Sequence, residues 1–517
     1  MKNTLRFSLL LLAPAAIAGA YDAINVTVPE GASQTWDETF SSGLPTRGED
    51  GVSGSSVGSQ TTINGSGTIS MGAGEAGNTS LLTINEGANI YINSGNTLTI
   101  GYKELGKAQS GGWNGGDTTI KNNVEGRTSG FHLTGGATLI IYNTFKSNSG
   151  NASAGRNVLE MTGNNNSADI QGLTYLGGSN NLGGNTENII SVAGSNSSIT
   201  FGGMVMGTDG TMSGSSANLL SVTGSNNSII NTGGFRGRFQ IGFNLGHEAG
   251  SNTLYAKGDG SAADARVYVR TNNDLEIYGS NKEGSDVVNS AHFAGNATFA
   301  NQAGTGAHNI KVGQSGNYGT SRLIVEGSGN DMKIMDIYVG AATQASSSKA
   351  SFDIIGGGSD INIGRQFSVT AANGSSKDNQ FGGIVNFTAD STGISTLNIN
   401  SGEANISISG YLNIDFSNLS GEFAEEKFTL ISFGSGIGAA KFGAWYDANS
   451  GDGLGANASF IFADSSTDSA YLKLETENGR QVLNAYYTSS VPEPAVCAAI
   501  FGALALAFAS YRKKPRQ

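Results

Sequence analysis

Two glycine-rich stretches match sequence patterns that are known from enzymes. Residues 54–58 (GSSVG) fit the nucleophile-elbow pattern, in which a serine on a tight strand-to-helix turn attacks an acyl group. Residues 72–77 (GAGEAG) fit the dinucleotide-binding pattern, in which glycines let the backbone approach a pyrophosphate. Neither stretch opens a predicted helix, and a chain with 78 glycines in 517 residues matches such patterns by chance. We therefore assign no catalytic residue to either stretch.

Metal-ligating residue types also occur, but not at the spacing that a metal site needs. Residues 447–453 (DANSGDG) look like a calcium loop, yet the fifth position is Gly451, and Asp452 comes one place late. The four histidines are far apart in the sequence and lack a cysteine or a second histidine at ligand spacing: His132, His247, His292 and His308. The sequence therefore predicts no metal ion and no cofactor.

The best candidate for an enzymatic site is the stretch from Phe235 to His247 (FRGRFQIGFNLGH). It brings Arg236, Arg238 and His247 close together in sequence, and these are side-chain types that β-helix enzymes use on polysaccharides. A glycoside hydrolase also needs two positioned carboxylates, and no acidic pair stands out from the surrounding pattern. An ordinary strand with exposed cations is the simpler explanation. A polysaccharide lyase or hydrolase is therefore kept as the alternative interpretation, without assigned catalytic residues.

The first 20 residues have the pattern of a secretory signal peptide. Lys2 and Arg6 precede an apolar run over residues 7–18, and Ala18 and Ala20 fit the small-x-small rule for cleavage. An N-terminal membrane anchor is the alternative, but the run is short and ends in small residues. We predict that the signal is cut after Ala20 and that the protein is exported.

The last 27 residues form a tail with three parts. Pro492 and Pro494 interrupt strands and helices, so they separate the tail from the folded body. Residues 495–510 carry no charge, and these 16 residues predict a thin transmembrane helix. A buried C-terminal helix is the alternative, but it would show a polar face. Four cations then hold the end of the chain in the cytoplasm: Arg512, Lys513, Lys514 and Arg516.

This tail resembles the PEP-CTERM sorting signal of Gram-negative bacteria, also catalogued as the ice-binding-protein C-terminal motif. The resemblance rests on Val491, Pro492, Glu493 and Pro494, followed by the apolar run and the basic end. It implies that a membrane enzyme of the exosortase type processes the tail of a precursor anchored in the inner membrane. It also implies delivery to the cell surface or to the exopolysaccharide matrix. The resemblance concerns a sorting signal, so it does not predict the function of the body.

The body between the two terminal signals is acidic. Six of the 29 basic residues and one of the 41 acidic residues lie in the signals, which leaves 23 against 40, a formal charge of −17. This balance excludes a nucleic-acid partner, because phosphate binding needs a basic patch. The single cysteine, Cys497, lies in the apolar tail, so the body has no intrachain disulfide. Its stability must come from packing and hydrogen bonds.

The body repeats a short phrase about every 30 to 35 residues, which is the period of solenoid proteins. Asn157 opens NVLEMTGN, Asn188 opens NIISVAGS and Asn218 opens NLLSVTGS, and looser copies follow. Aliphatic and polar residues alternate in each copy, and glycine, asparagine and serine mark the corners between short strands. Three strands and three corners in each repeat predict an all-β fold, a right-handed parallel β-helix. An antiparallel β-sandwich array is the alternative.

Asparagine recurs at matched corners of the repeats, for example at Asn196 and Asn226. The side chains could stack from coil to coil in a hydrogen-bonded ladder. Alternatively, asparagine is used there because it tolerates the left-handed backbone conformation of a sharp turn. The sequence leaves both explanations open.

The changing pattern of the repeats divides the chain into five regions. They are a signal peptide (1–20), an N-terminal cap with the first coils (21–156, regular from Leu81), a repeated solenoid (157–410), a C-terminal β cap (411–490) and the sorting tail (491–517). A cap is expected because the terminal units of a solenoid must cover an open edge. We assign Trp445 to this cap, with five longer strands: Tyr411–Phe416, Lys427–Phe433, Ala458–Ala463, Ala470–Glu475 and Gln481–Tyr487.

Three classes of function fit these features. A long solenoid with a wide polar face fits a structural or adhesive protein of the cell surface or matrix, and the repeats are similar in texture to those of autotransporters. A polysaccharide-active enzyme on the same scaffold is the second class. Ice binding is the third, but a flat ice-binding face needs a regular threonine array, which the corners lack. We predict the first class, with no enzymatic activity and with an exosortase-type enzyme and exopolysaccharide as partners.

Overall fold

The computed structural model gives the backbone of most of the repeated body. The described residues are 24–28, 33–36, 54–57, 61–65, 68–71, 81–85, 89–92, 97–100, 118–121, 128–142, 144–147, 154–177, 185–207, 215–233, 238–242, 249–301, 308–316, 318–340, 348–400, 402–419, 426–434, 437–463, 468–489 and 502–505.

The chain forms a parallel β-solenoid in which each coil contributes strands to three columns. Strands are numbered in chain order. The first column is a 14-stranded sheet. It contains β1 (Ile24–Val28), β4 (Thr61–Gly65), β7 (Asn89–Ile92), β10 (Thr128–Thr134), β13 (Ala154–Thr162), β15 (Asn185–Val192), β17 (Ser215–Gly224), β20 (Ala249–Gly258), β23 (Val288–Phe293), β26 (Thr320–Glu326), β28 (Lys349–Ile355), β30 (Gly382–Thr388), β33 (Tyr411–Asp415) and β35 (Ala458–Ile461).

The second and third columns share a 23-stranded sheet, because some strands run through both. The second column contains β2 (Ser33–Trp36), β5 (Thr68–Met71), β8 (Thr97–Ile100), β11 (Thr138–Ile141), β18 (Ser228–Asn231), β21 (Val267–Thr271), β24 (Ala297–Ala300), β31 (Leu397–Ile399) and β34 (Glu426–Phe433). The third contains β3 (Gly54–Val57), β6 (Leu81–Asn85), β9 (Thr118–Lys121), β12 (Phe145–Ser147), β19 (Phe239–Ile241), β22 (Leu275–Ile277), β25 (Ile310–Val312) and β32 (Ile406–Ile408). The strands that run through both are β14 (Ser167–Leu176), β16 (Ser198–Met206), β27 (Asp331–Val339) and β29 (Asp360–Val369).

One continuous apolar core runs inside the solenoid. On β17, Leu220 and Val222 are fully buried, whereas Ser221 between them faces outward, because successive side chains of a strand point to opposite sides. Parallel pairing in register repeats this pattern on the neighbouring coils, so that Leu220 stacks between Ile190 and Leu254. Each coil therefore buries its aliphatic side chains mainly against its two neighbours, as in other solenoids.

A buried asparagine ladder lines one corner of the solenoid, where the third column leads into the first. Each side-chain amide donates a hydrogen bond to the amide oxygen of the next coil, at 2.7 to 3.0 Å. The last amide donates to the backbone oxygen of Tyr278 at 2.7 Å. This satisfies polar groups that would otherwise be costly to bury. The members of the ladder are Asn157, Asn188, Asn218, Asn252 and Asn289.

The exposed corner at Asn196 and Asn226 combines both explanations that the sequence left open. The Asn226 amide donates to the Asn196 amide oxygen at 2.8 Å, so the two side chains do stack. Both residues also have left-handed backbone angles, with φ of 54° and 55°. Asparagine is favoured at this corner because its backbone accepts the turn and its side chain bonds to the next coil.

An antiparallel unit closes the C-terminal end of the solenoid. The strands β36 (Asp468–Glu477) and β37 (Arg480–Ser489) form a hairpin, and β37 pairs antiparallel with β34. Trp445 is fully buried and donates its indole N–H to the backbone oxygen of Gly410 at 2.8 Å. Phe416 packs against further rings of this unit, including Tyr487 at a centroid distance of 4.8 Å. Trp445 also packs edge-on against Phe367 of β29, at a centroid distance of 6.1 Å, and its assignment to the cap stays a prediction.

The free edge of this cap is β36, and it is protected in two ways. Lys473, Glu475 and Glu477 place charges along the strand, which discourages pairing with another chain. The loop at 447–454 also packs against it, because the Leu472 N–H donates to the backbone oxygen of Asp452 at 2.8 Å. The charges and this contact therefore protect part of the edge of β36.

The fold agrees with the predicted all-β parallel solenoid, and the alternative of an antiparallel sandwich array is wrong for the body. Among the named strands, antiparallel pairing is confined to the cap. Parallel pairing begins earlier than the regular alternation at Leu81, since β1 already pairs with β4. Strands occur at all five positions predicted for the cap, but β33 and β35 pair in parallel within the first column, and only β34, β36 and β37 form the antiparallel unit.

Helical structure is rare in the part of the chain that is described. Two 3-10 helices occupy Glu403–Asn405 and Ala439–Phe442, and residues 502–505 form a helical turn. Among the described residues, no helix is both long enough and apolar enough to cross a lipid bilayer. The predicted signal peptide at 1–20 lies outside the described residues, and so does the predicted transmembrane tail at 491–517 apart from that turn.

Candidate functional site

A group of polar side chains lies on the outer face of the third column. Its core consists of six residues on or next to three consecutive strands, β19, β22 and β25, and we refer to it as the third-column cluster: Gln240, Asp274, Glu276, Tyr278, Asn309 and Lys311. Strand alternation explains their position, since the residues between them, such as Leu275 and Ile277, are fully buried in the core.

Parallel register brings these residues together from distant parts of the sequence. Gln240 is directly opposite Glu276, and Glu276 is directly opposite Lys311. Neighbouring strands are about 4.8 Å apart, so side chains at matched positions can form hydrogen bonds and ion pairs. The cluster is therefore a consequence of stacking three short strands whose outward residues are polar.

Lys311 binds the two carboxylates of the cluster. Its ammonium lies 2.8 Å from Asp274 Oδ2 and 3.1 Å from Glu276 Oε1. Burial opposes the charge on Lys311, but the hydrogen bonds and the charges of the two carboxylates outweigh it and raise the pKa of the ammonium. Lys311 therefore remains positively charged at neutral pH and bridges the two acids.

The other side of Glu276 is occupied by neutral donors. The Gln240 amide donates to Glu276 Oε2 at 2.8 Å and to the Tyr278 hydroxyl at 2.9 Å, and that hydroxyl donates to Glu276 Oε2 at 2.7 Å. Burial and the neighbouring Glu276 carboxylate raise the pKa of the Tyr278 phenol. Tyr278 is therefore a hydrogen-bond donor and does not serve as a base at neutral pH.

This arrangement is suited to binding more than to acid–base chemistry. A glycosidase needs one carboxyl group kept protonated and a second one free to attack or to activate water. Here both oxygens of Glu276 are engaged, and Asp274 shares the Lys311 ammonium and accepts the Asn309 N–H at 3.2 Å. No carboxylate of the cluster has the isolated surroundings that a general acid requires.

A second ion pair extends the cluster by two coils. Asp336, on β27, is fully buried and accepts the Arg365 Nε–H at 2.8 Å and the Gln366 N–H at 3.0 Å. The Tyr338 hydroxyl donates to the Gln366 side chain at 2.9 Å. The Arg365 side chain is 59% exposed, so the pair presents a cation outward and keeps its anion inside.

The sequence-based candidate stretch, Phe235–His247, contains one residue of this cluster, Gln240. It does not contain the carboxylates or the lysine. Arg238 lies close enough for its charge to act on the Tyr278 phenol. Arg236 and His247 lie outside the described residues, as do the predicted sorting motif, Val491–Pro494, and the predicted cleavage site at Ala18 and Ala20. The signal that could have found the cluster is the alternation of charged and aliphatic residues in DLEIY (274–278).

Two of the described histidines, His132 and His292, pair with groups on neighbouring coils. His132 stacks on Tyr91 at a centroid distance of 4.6 Å and lies 3.3 Å from the Glu160 carboxylate. His292 lies 2.7 Å from Glu326. Within the ranges that the structure describes, no three histidine, cysteine, aspartate or glutamate side chains are placed to hold a metal ion together.

The loop at 447–453 uses its acids to close its own turns. Asp447 Oδ1 accepts the Asn449 N–H at 2.9 Å, and Asp452 Oδ1 accepts the Leu454 N–H at 3.1 Å as well as the Ser450 hydroxyl. The Ser450 hydroxyl lowers the pKa of Asp452. The resemblance to a calcium loop is thus accounted for by turn geometry that covers the edge of β36.

No family model matches this chain, and no curated protein matches it at a significant level.

Proposed function

We propose that the protein is an exported structural or adhesive protein of the cell surface or extracellular matrix, associated with exopolysaccharide. The observation that carries this proposal is the stack of parallel strands that begins with β1 and ends at the cap, around one apolar core that is described from Ile90 onward. Such a stack has long polar faces and needs no disulfide, and it places side chains at regular intervals. The right-handed sense of the coil belongs to this proposal and follows the usual handedness of parallel β connections.

The tail supports the proposed route to the surface. The last strand, β37, ends at Ser489, two residues before Val491 and the proline pair. The proposed sorting motif therefore starts where the cap ends, and the proposed transmembrane helix and basic end follow. An exosortase-type enzyme would then act on the segment that follows the cap in the sequence, and the precursor would be attached to the inner membrane by its capped end.

Mass spectrometry of the C-terminal peptide of the protein taken from its native cell surface tests this route. We expect the peptide to lack Arg512, Lys513, Lys514 and Arg516, because processing removes or exchanges the tail. An intact basic end on a protein that stays in the periplasm would overturn the proposal. Small-angle scattering of the exported body gives an independent test of the rod, since a compact particle would contradict an extended scaffold.

The proposal assigns no enzymatic activity to the body. It is supported by the third-column cluster, whose two carboxylates are bridged by Lys311, and whose tyrosine remains protonated. Incubation with a bacterial exopolysaccharide, followed by an assay for reducing ends and for unsaturated products, checks this point. Turnover that disappears on replacement of Glu276 would identify an enzyme instead.

A further inference from the structure

The first column of the solenoid ends in β35, and the outer edge of this strand is open. β35 pairs with β33 on one side, and no other described strand pairs with it. The backbone oxygens of Asn457 and Ile461 face β33, where they accept the N–H groups of Leu412 and Phe416 at 2.9 Å. The N–H and C=O groups of Phe460 therefore point away from β33, because these groups alternate in direction along a strand. Neither group forms a hydrogen bond with another described residue.

This edge lacks the charges that protect the other free edge of the cap. Lysine and glutamate residues lie along β36, whereas β35 has the sequence ASFI and no charge. The Ile461 side chain is 45% exposed, and Phe460 and Phe462 are half-buried at the end of the core. A short, uncharged edge strand with exposed apolar side chains is suited to pairing with a strand of another chain.

The cap prevents another molecule from adding a complete coil at this end. β33 and β34 belong to the same coil, and beyond them the first column adds one strand, β35, whereas the second column adds two, β37 and β36. The second column therefore projects one strand further than the first, where a stacked coil would need space for its own second-column strand. The third column ends earlier than both, since its last described strand is β32. Head-to-tail stacking of two molecules is thereby blocked.

A two-fold rotation about an axis perpendicular to the first column avoids this conflict. Each first-column strand runs from the third column to the second, so the rotation brings the second column of one molecule opposite the third column of the other. The projecting strands of each molecule then lie beyond the shorter third column of its partner. The end of the solenoid is thus self-complementary in shape, as the isologous interface of a two-fold dimer requires.

We propose that β35 pairs antiparallel with β35 of a second copy of this chain, which makes the protein a two-fold symmetric dimer joined at its capped ends. With Phe460 opposite Phe460 of the second copy, the two residues exchange both backbone hydrogen bonds. Ser459 then lies opposite Ile461 of the second copy. This register keeps outward residues outside and core residues inside, because β35 continues the alternation of β33, in which Asn413 faces outward and Ile414 is buried in the core. The dimer does not depend on processing of the tail, so it is separate from the proposed function.

Sedimentation velocity of the protein purified from its native surface, over a range of concentrations, tests the dimer. We expect the dimer fraction to rise with concentration and no larger species to form. Small-angle scattering of the same preparation should show a maximum dimension that nearly doubles, because the two rods extend in opposite directions from β35. A monomer at every concentration, or an open series of larger assemblies, would overturn the proposal.

A charge on the open edge tests the position of the interface. Ile461→Lys introduces this charge twice in a symmetric dimer, so we expect roughly tenfold weaker dimerisation. The matched control is Val288→Lys, because Val288 is 37% exposed and lies on β23, in the middle of the same sheet. Both variants should keep the thermal unfolding midpoint of the wild type at concentrations where the wild type is monomeric. Wild-type dimerisation by Ile461→Lys, or an equal loss in Val288→Lys, would contradict the pairing of β35.

Disulfide cross-linking tests the register. Ser459→Cys and Ile461→Cys are made separately, each with Cys497→Ala, so that every chain carries one cysteine. Directly opposite residues of a non-hydrogen-bonded antiparallel pair are close enough for a disulfide, whereas each residue is further from its own copy across the two-fold axis. We therefore expect a covalent dimer in an oxidised mixture of the two variants and much less in either variant alone. Equal cross-linking in the single variants, or none in the mixture, would overturn the proposed pairing.

Discussion

The side-chain amide of Asn188 donates a hydrogen bond of 2.8 Å to the side-chain oxygen of Asn218, one coil further along the solenoid. Asn218 in turn donates to Asn252 at 2.7 Å. All three side chains are almost completely buried, so the ladder is a polar line inside an apolar interior. Each amide in it depends on both neighbours, and the register of the coils is fixed where the ladder runs.

Replacement of Asn218 by alanine should destabilise the body strongly. It leaves the Asn188 nitrogen without an acceptor and the Asn252 oxygen without a donor, and each buried unpaired group costs about 1–3 kcal/mol. We expect a clear fall in the urea midpoint, measured by circular dichroism. The control is replacement of Ser221 on the same strand by alanine; Ser221 is half-buried and faces outward, so this change should alter the midpoint little. An unchanged midpoint for Asn218→Ala would show that the ladder contributes nothing.

The corner at Asn226 offers a test of its two roles. Asn226→Gly keeps the left-handed backbone and removes only an exposed hydrogen bond, so we expect a loss of no more than about 1 kcal/mol. Asn226→Val adds a β-branched side chain at a φ of 55° and should be considerably less stable. Comparison of the two urea midpoints checks this. A glycine variant as unstable as the valine variant would make the side-chain bond the more important of the two.

Glu160 should make stability depend on acid pH. Its hydrogen bond with His132 lowers the pKa of the carboxyl group below its usual value of 4.5, against the opposing effect of burial. The unfolded chain therefore takes up the proton first, and the stabilisation is complete above pH 4.5 and declines as the pH falls below it. Urea midpoints of the wild type and Glu160→Gln, measured from pH 7 to pH 3, should differ most near neutrality and converge in acid. A constant difference would contradict this assignment.

Removal of Arg365 should leave an unpaired charge in the interior. Asp336 is fully buried, but Arg365 is largely exposed, so we expect Arg365→Ala to lower the thermal midpoint by less than the breaking of a fully buried ion pair would. The double variant Asp336→Asn with Arg365→Ala should recover part of the loss, because no charge then remains buried. Thermal unfolding of the single and double variants measures this. A double variant less stable than Arg365→Ala would argue against charge burial as the cause.

The fold could be predicted from the sequence because its repeats are explicit. Asn157, Asn188 and Asn218 open successive copies of one phrase, and the structure pairs these same residues in register. The earliest coils are harder to recognise from the sequence. Strand β4 has the sequence TTING, in which Ile63 is the single aliphatic residue, so the alternation of apolar and polar residues is hardly visible. The sequence pattern that identifies buried positions is weak where threonine, serine and glycine occupy most positions of a strand.

The candidate site as a whole could not be predicted, because its local signal, the alternation in DLEIY (274–278), covers only one of the three strands that form it. Gln240, Glu276 and Lys311 are about 35 residues apart, and each alone looks like an ordinary outward residue of a polar strand. Only the register of three short strands makes them neighbours. The stretch at Phe235–His247 contains cations near one end of the cluster, but the carboxylates and the bridging lysine belong to later coils.

The hairpin that closes the solenoid also determines how the molecule responds to mechanical tension. Strand β37 is the last strand before the tail, and it is hydrogen-bonded on one side to β34 and on the other to β36. A pull applied beyond Ser489, along the direction of this strand, shears two ladders lengthwise, so many hydrogen bonds resist together. A rod tethered by this end would therefore withstand drag from flowing liquid better than one held by a single edge strand.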